Sequence, residues 1–197
     1  MSQRSGNIKR DTKETQIEVN WLLDGPVNAD ITTGIGFLDH MLDSFAKHGA
    51  FNLSVNAQGD LQVDAHHTIE DIGICMGQAL KEAVGSKRGI NRFGAGLIPM
   101  DEALARVVID LSGRPYLKYE VNIDDMLAGN LTPRQFHEFF QGLVSNAGIT
   151  LHIHLLEGEE SHHCLEAIFK AFAKAINQAV SITEKDGDIP STKGSLT

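Results

Sequence analysis

The chain repeats itself. Glu14–Gly25 (ETQIEVNWLLDG) lies on Glu102–Gly113 (EALARVVIDLSG) without a gap, pairing Val19 with Val107 and Leu23 with Leu111, an offset of 88 residues (14 to 102). Leu38-Asp-His40 and Phe51-Asn-Leu53 fall on Phe136-His-Glu138 and Ile149-Thr-Leu151 at an offset of 98 (38 to 136). His66-His67-Thr-Ile-Glu70 falls on His162-His163-Cys-Leu-Glu166 at an offset of 96 (66 to 162). Any one match is at the level of chance. Three in the same order, with offsets that drift by the length of a short loop, define a duplication. The chain must therefore build one supersecondary unit twice, residues 1–93 forming the first half and residues 94–197 the second.

Each half reads in the same order. Strand alternation runs over Thr15–Leu23 and Leu104–Leu111, with further extended pieces at Val27–Thr32 and Tyr116–Val121. Helices are predicted over Phe37–Lys47 and Pro133–Asn146, the latter with proline in its first turn, and strands over Phe51–Ala57 and Ile149–Leu156. A longer helix closes each half, His66–Val84 and His162–Val180, with Leu165, Ile168, Phe169, Phe172, Ile176 and Val180 on one stripe. The Gly- and Arg-rich stretch Gly85–Gly96 reads as the connector, and the polar segment from Asp186 onward as a tail. The predicted class is α+β: an internally duplicated half-domain, each half a small mixed sheet covered by two helices.

Charge and cysteine usage narrow the chemistry. Seventeen Lys and Arg against 26 Asp and Glu give a formal net charge of −9, which argues against nucleic acid as a partner. A small anion held by a few placed cations stays compatible with it. Cys75 and Cys164 lie far apart in no metal or redox spacing, so a reducing compartment is expected. The first nine residues lack the apolar run of a signal peptide, and no stretch is long enough to span a bilayer. The expectation is a cytoplasmic protein with no membrane partner.

The repeated His-His-x-x-Glu carries the chemistry. At the start of a helix, the first His and the Glu stand at i and i+4, close enough to share one ion. The second His points about 100° away and must serve something else, such as a second ion. Imidazole with carboxylate suits a borderline or hard divalent metal. With His40 and its counterpart Glu138, the metal-ligand candidates are His40, His66, His67, Glu70, Glu138, His162, His163 and Glu166. His137 is one residue out of phase and is left as a supporting or surface group. His152 and His154 share one side of a strand and are read as structural, and Cys164 as a small apolar filler.

At this point the sequence resembles a known family, imidazoleglycerol-phosphate dehydratase. The motifs are Gly34–Leu42 (GIGFLDHML), Asp64–Gly73 (DAHHTIEDIG), Pro99–Glu102 (PMDE), Asp110–Tyr116 (DLSGRPY), Ser161–Phe172 (SHHCLEAIFKAF) and Pro190–Gly194 (PSTKG). The resemblance covers nearly the whole chain and implies a ribosomal protein S5 domain 2-like half-domain used twice. It also implies two divalent ions per active site, of manganese, and a 24-subunit octahedral homo-oligomer built of trimers. One departure stands out: some members carry His where this chain has Glu138.

The implied reaction is loss of water from imidazole glycerol phosphate to give imidazole acetol phosphate, in histidine biosynthesis. The proton to be removed has no carbonyl beside it to acidify it. One ion on each ring nitrogen would make the ring an electron sink, and would explain why the motif is duplicated. By the resemblance, Glu14 is the first candidate for proton transfer, His48 the second, and Asp101 an orienting group. Substrate contacts are expected from Glu14, His40, His48, His66, Glu70 and His162. Arg92, Arg114, Lys170, Ser191 and Lys193 are the phosphate-binding candidates, with the tail ordering over the phosphate. The chain has no room for a fused phosphatase domain, so a monofunctional enzyme is expected. The rivals are another dimetal lyase or hydrolase acting on a small phosphate, and a metal-binding shell protein.

Overall fold

A computed structural model describes residues 3–123, 127–129, 131–183 and 187–196. Its first half runs β1 (Ser5–Asp11), β2 (Thr15–Leu22), β3 (Asn28–Thr32), α1 (Gly36–Gly49), β4 (Asn52–Gly59) and α2 (His66–Val84). The second runs β5 (Phe93–Met100), β6 (Ala103–Asp110), β7 (Tyr116–Glu120), α3 (Pro133–Ala147), β8 (Thr150–Glu157) and α4 (Ser161–Val180). Strand orders are identical, β1-β2-β4-β3 and β5-β6-β8-β7. In each sheet the last pair is parallel and the others antiparallel. The offsets recur in the elements: 88 from β2 to β6 and from β3 to β7, 98 from β4 to β8. The expected class, a duplicated α+β half-domain with small mixed sheets, is what the chain forms.

Local chemistry explains where the elements begin and end. Helix α3 opens on a capping box in which Thr132 and Gln135 bond each other's backbone amides, with Pro133 in its first turn. Glu160 caps α4 by accepting from the His163 amide at 2.9 Å. Helix α1 ends where Ala50 turns left-handed, at φ 57°.

Two strands were absent from the sequence reading. The N-terminal polar stretch forms β1, and the expected connector Gly85–Gly96 runs into β5. The reason is steric. A Cβ on Gly6 would run into the Ala79 carbonyl of α2, and one on Gly94 or Gly96 into the Ala175 or Ala171 carbonyl of α4. These edge strands lie so close to a helix backbone that glycine replaces the apolar residues which ordinarily mark a strand.

The helices cross between halves. Helix α2 covers its own sheet on β1 and β2, and α4 covers β5 and β6, while α1 stacks on α4 and α3 on α2. The order of layers is sheet, helices, helices, sheet. Phe169 and Phe172 of α4 meet Phe136, Phe139 and Phe140 of α3 and Phe45 of α1, with ring centroids 5.2–5.8 Å apart. Both halves thus share a single core, and neither half buries its helices alone.

The α2–α3 crossing is closest at Gly73, where an added methyl would meet the Phe139 carbonyl. Gly73→Ala should lower stability by about 1–3 kcal/mol, as overpacking does. Gly36→Ala, where the new methyl meets nothing within 4 Å, should cost nothing. Urea midpoints of the two variants provide the check, and equal midpoints would show that the crossing can relax.

Candidate metal and active site

The stacking of α1 on α4 brings residues 122 or more positions apart in sequence into one cluster. His40 Nε2 lies 3.5 Å from Glu166 Oε2, and His162 Nε2 lies 3.2 Å from the same oxygen. One ligand atom from each of His40, His162 and Glu166 falls within 4.8 Å of the others; among the described residues no other such trio gathers. Glu166 is buried, and its other oxygen, Oε1, sits 2.8 Å from Lys170 Nζ. Burial is the largest single influence and opposes its ionisation, but the bond and charge of Lys170 together with His40 and His162 outweigh it and hold the carboxyl below the ordinary range. Phe37 sets its ring edge-on to His162 at 5.1 Å. Two imidazoles and one charged carboxylate oxygen at this spacing fit a single divalent ion.

His48 stands two turns beyond His40 on α1. Burial lowers its pKa, and Lys170, Lys174 and Lys47 lower it further. Its ring is therefore neutral at pH 7, able to accept a proton.

The counterpart on α2 and α3 is looser. His66 Nε2 lies 3.6 Å from Glu70 Oε2, the expected i and i+4 pair. Glu138, the counterpart of His40, instead pairs with its neighbour His137 at 3.2 Å, whose ring packs edge-on against Tyr119. The residue preceding His40 offers no such diversion, since Asp39 is bonded by the Thr33 hydroxyl and amide.

The second histidine of each motif turns to its own sheet. His67 Nδ1 lies 3.0 Å from Asp60 Oδ2 and 3.9 Å from Glu14 Oε2. His163 Nδ1 lies 2.8 Å from Glu102 Oε2, and its Nε2 lies 3.7 Å from Asp101 Oδ2. Hydrogen bonding to these carboxylates raises the pKa of both rings. Glu102 also accepts from the Glu160 and Glu159 amides, at 3.0 and 3.4 Å, and its carboxyl falls to about 2. Asp60 and Glu102 were not among the sequence candidates. Glu102 carried a usable signal, since the duplication lays it on Glu14; Asp60 carried none.

The cationic candidates are dispersed. Lys170 belongs to the trio. Arg92, in left-handed backbone at φ 73°, forks onto Asp110 at 2.7 and 3.0 Å and donates from Nη1 to the Pro190 carbonyl at 2.9 Å. That bond ties down the tail, where the Lys193 amide donates to Ser191 Oγ in a turn. Arg114 is exposed after β6, its Nη1 3.4 Å from the Ser112 carbonyl. On β8, His154 pairs with Glu120 and stacks on His152.

Cys164 is fully buried beside Gly158 and Ala103, and Cys75 is buried in the core. Burial pushes both thiols up to about 11. At pH 8 only about 0.1% of each would be the reactive thiolate, against roughly a quarter of a free cysteine. Iodoacetamide at pH 8 should therefore add no mass to the native protein and alkylate both thiols after unfolding. Labelling should quicken only as pH climbs toward 11, and rapid native labelling of Cys164 would place that thiol among the metal-ligand candidates.

The profile of the family described as imidazoleglycerol-phosphate dehydratase matches residues 33–176. The chain is 50% identical over 193 residues to the imidazoleglycerol-phosphate dehydratase of Geobacter sulfurreducens, covering 98% of this chain and 99% of the relative. It is 52% identical over 197 residues to that of Nitrosomonas europaea, covering all of both chains. Among solved structures, the Staphylococcus aureus enzyme superposes with a TM-score of 0.81 at 42% identity, over 91% of this chain and 99% of that one. The Pyrococcus furiosus enzyme superposes at 0.84 with 39% identity, over 96% of this chain and all of that one.

Proposed function

Because the chain belongs to the imidazoleglycerol-phosphate dehydratase family, a family of hydro-lyases, we propose that it dehydrates imidazole glycerol phosphate to imidazole acetol phosphate with two divalent metal ions, as a step of histidine biosynthesis. The observation that carries the metal part is the trio His40, His162 and Glu166, with its buried carboxylate held ionised by Lys170.

In this reading His40, His162 and Glu166 hold one ion, and His66, Glu70 and Glu138 contribute to the second, with His67 and His163 as further ligands. When bound, the ions, of manganese in this reading, supply Lewis acidity to the substrate's imidazole ring.

The chain's own residues then move protons. A base takes the proton from the middle carbon, the hydroxyl on the carbon beside the ring leaves as water, and the resulting enol, with its oxygen on the middle carbon, tautomerises to the ketone. Glu14 suits the base: its side chain is 57% exposed, and its carboxylate accepts no hydrogen bond among the described residues. His48, whose pKa is lowered by burial and by Lys170, Lys174 and Lys47, is the second acid/base candidate in this reading. Asp101, at the left-handed turn between β5 and β6, faces His163 Nε2 and orients it. Phosphate binding is assigned to Lys170, Arg92, Arg114, Ser191 and Lys193. Arg92 has its fork on Asp110, so its support for this role is indirect: it anchors the tail that carries Ser191 and Lys193.

Assembly into a 24-subunit octahedral homo-oligomer of trimers, in the cytoplasm, belongs to the same reading. One feature supports self-association: the outer face of the second sheet exposes Phe93, Leu97, Val108, Tyr116 and Leu156. No helix among the described residues is long and apolar enough to cross a membrane.

Incubation of imidazole glycerol phosphate with the protein and manganese should yield imidazole acetol phosphate. Glu14→Gln should lower kcat about 10²–10⁴-fold with metal content unchanged. Full activity of that variant would remove Glu14 as the base, and lost metal would reassign it as a ligand. If ions join subunits, binding energy is assembly energy. A chelator should then shrink the particle in light scattering, and an unchanged mass would show that the metals do not hold the assembly together.

A further inference from the structure

The duplication places Glu14 and Glu102 at equivalent points, each opening the second strand of its sheet, yet the two carboxylates do different things. Glu102 takes His163 Nδ1 at 2.8 Å and the backbone amides of Glu159 and Glu160, just ahead of α4. In the first half that position on the ring is filled by Asp60, at the end of β4, which takes His67 Nδ1 at 3.0 Å and whose side chain is only 16% exposed. Glu14 stands back at 3.9 Å. A carboxylate on Nδ1 fixes the tautomer with its proton there, which leaves the lone pair on Nε2; the Nε2 of His163 stands 3.7 Å from Asp101 Oδ2, beyond hydrogen-bond distance.

We infer that Glu102 and Asp60 are positioning residues for metal binding: each fixes the second histidine of its His-His-x-x-Glu motif through Nδ1, so that Nε2 is the ligand atom. The inference rests on the two-metal reading above and specifies which atoms serve it. It also accounts for the division of labour between the halves. Because Asp60 orients His67, Glu14 is released from the duty its counterpart performs, and its carboxylate stays free for proton transfer. Glu102, bonded by His163 and by the Glu159 and Glu160 amides, is committed to that contact and takes no part in moving protons.

The test is equilibrium dialysis of the folded protein against Mn2+, with a parallel series in Zn2+, read as dissociation constants rather than turnover. Removal of an outer-shell partner typically weakens metal binding about 10–100-fold. Glu102→Ala should show that loss, while Glu102→Gln, which keeps an acceptor oxygen for Nδ1–H, should recover most of it. Asp60→Ala and Asp60→Asn should behave the same way. Melting temperatures of the metal-free variants report any folding defect separately, and a purely structural role would not give rescue by the isosteric amides. If Glu102→Ala binds metal as tightly as wild type, or if Gln is as weak as Ala, the positioning role is refuted while the metal reading stands. If the unaltered protein binds neither ion, the metal reading falls and takes this one with it.

Discussion

Everything functional in this chain depends on helices of one half lying on helices of the other. Helix α1 carries His40 and α4 carries His162 and Glu166, and only their stacking brings the three within reach of one ion. At that crossing Phe45 of α1 stacks on Phe172 of α4, which with Phe169 packs in turn on Phe136, Phe139 and Phe140 of α3. Each ring there buries upward of about 150 Å² and adds an edge or tilted contact to its neighbours. A half-length chain would leave this surface exposed to water. The candidate metal site and the core are therefore products of one packing event, and a mutation that loosens the crossing would be felt at both.

Sequence reading recovered the parts that periodicity can encode. Helix α2 was expected over His66–Val84 and is found there, and α4 differs by one residue at its start. Both strands of the central pair in each sheet lay within two residues of expectation, because alternating Val, Ile and Leu betray a half-buried strand. Strands β1 and β5 were lost because contact with a helix backbone selects glycine, and glycine reads as loop. The helix exchange was also invisible. Local pattern says that a face is apolar, and it does not say whose face will cover it.

The site was legible to the extent that its geometry is local. His66 with Glu70 and His162 with Glu166 follow from helix pitch and are found paired. His40 was a candidate ligand through its counterpart Glu138, but its joining to the second motif was not readable and came from tertiary packing. Asp60 was unreadable because its partner His67 is reached across a loop, with no repeat to flag it. Duplication supplied the ligands twice, and divergence then assigned unequal work. The counterpart of His40 became Glu138, drawn to His137, and the counterpart of Glu14 became a locked carboxylate at Glu102.

The chain's net charge of −9 sits oddly with a phosphorylated substrate until the charges are located. Binding responds to the local potential, not to the total. Around His48 the structure gathers Lys47, Lys170 and Lys174, which together with burial press that imidazole toward its neutral form. The same Lys170 compensates the buried Glu166, whose charge would be costly without a partner. One cation thus acts in two places: it helps hold the Glu166 carboxyl below its ordinary range against burial, and it adds to burial in lowering the pKa of His48. The α1 and α4 surface thus sets a trio with the geometry of a cation site, His40, His162 and Glu166, on the same pair of helices as a histidine, His48, whose neutral form is favoured, the two properties that the proposed metal-assisted water loss requires.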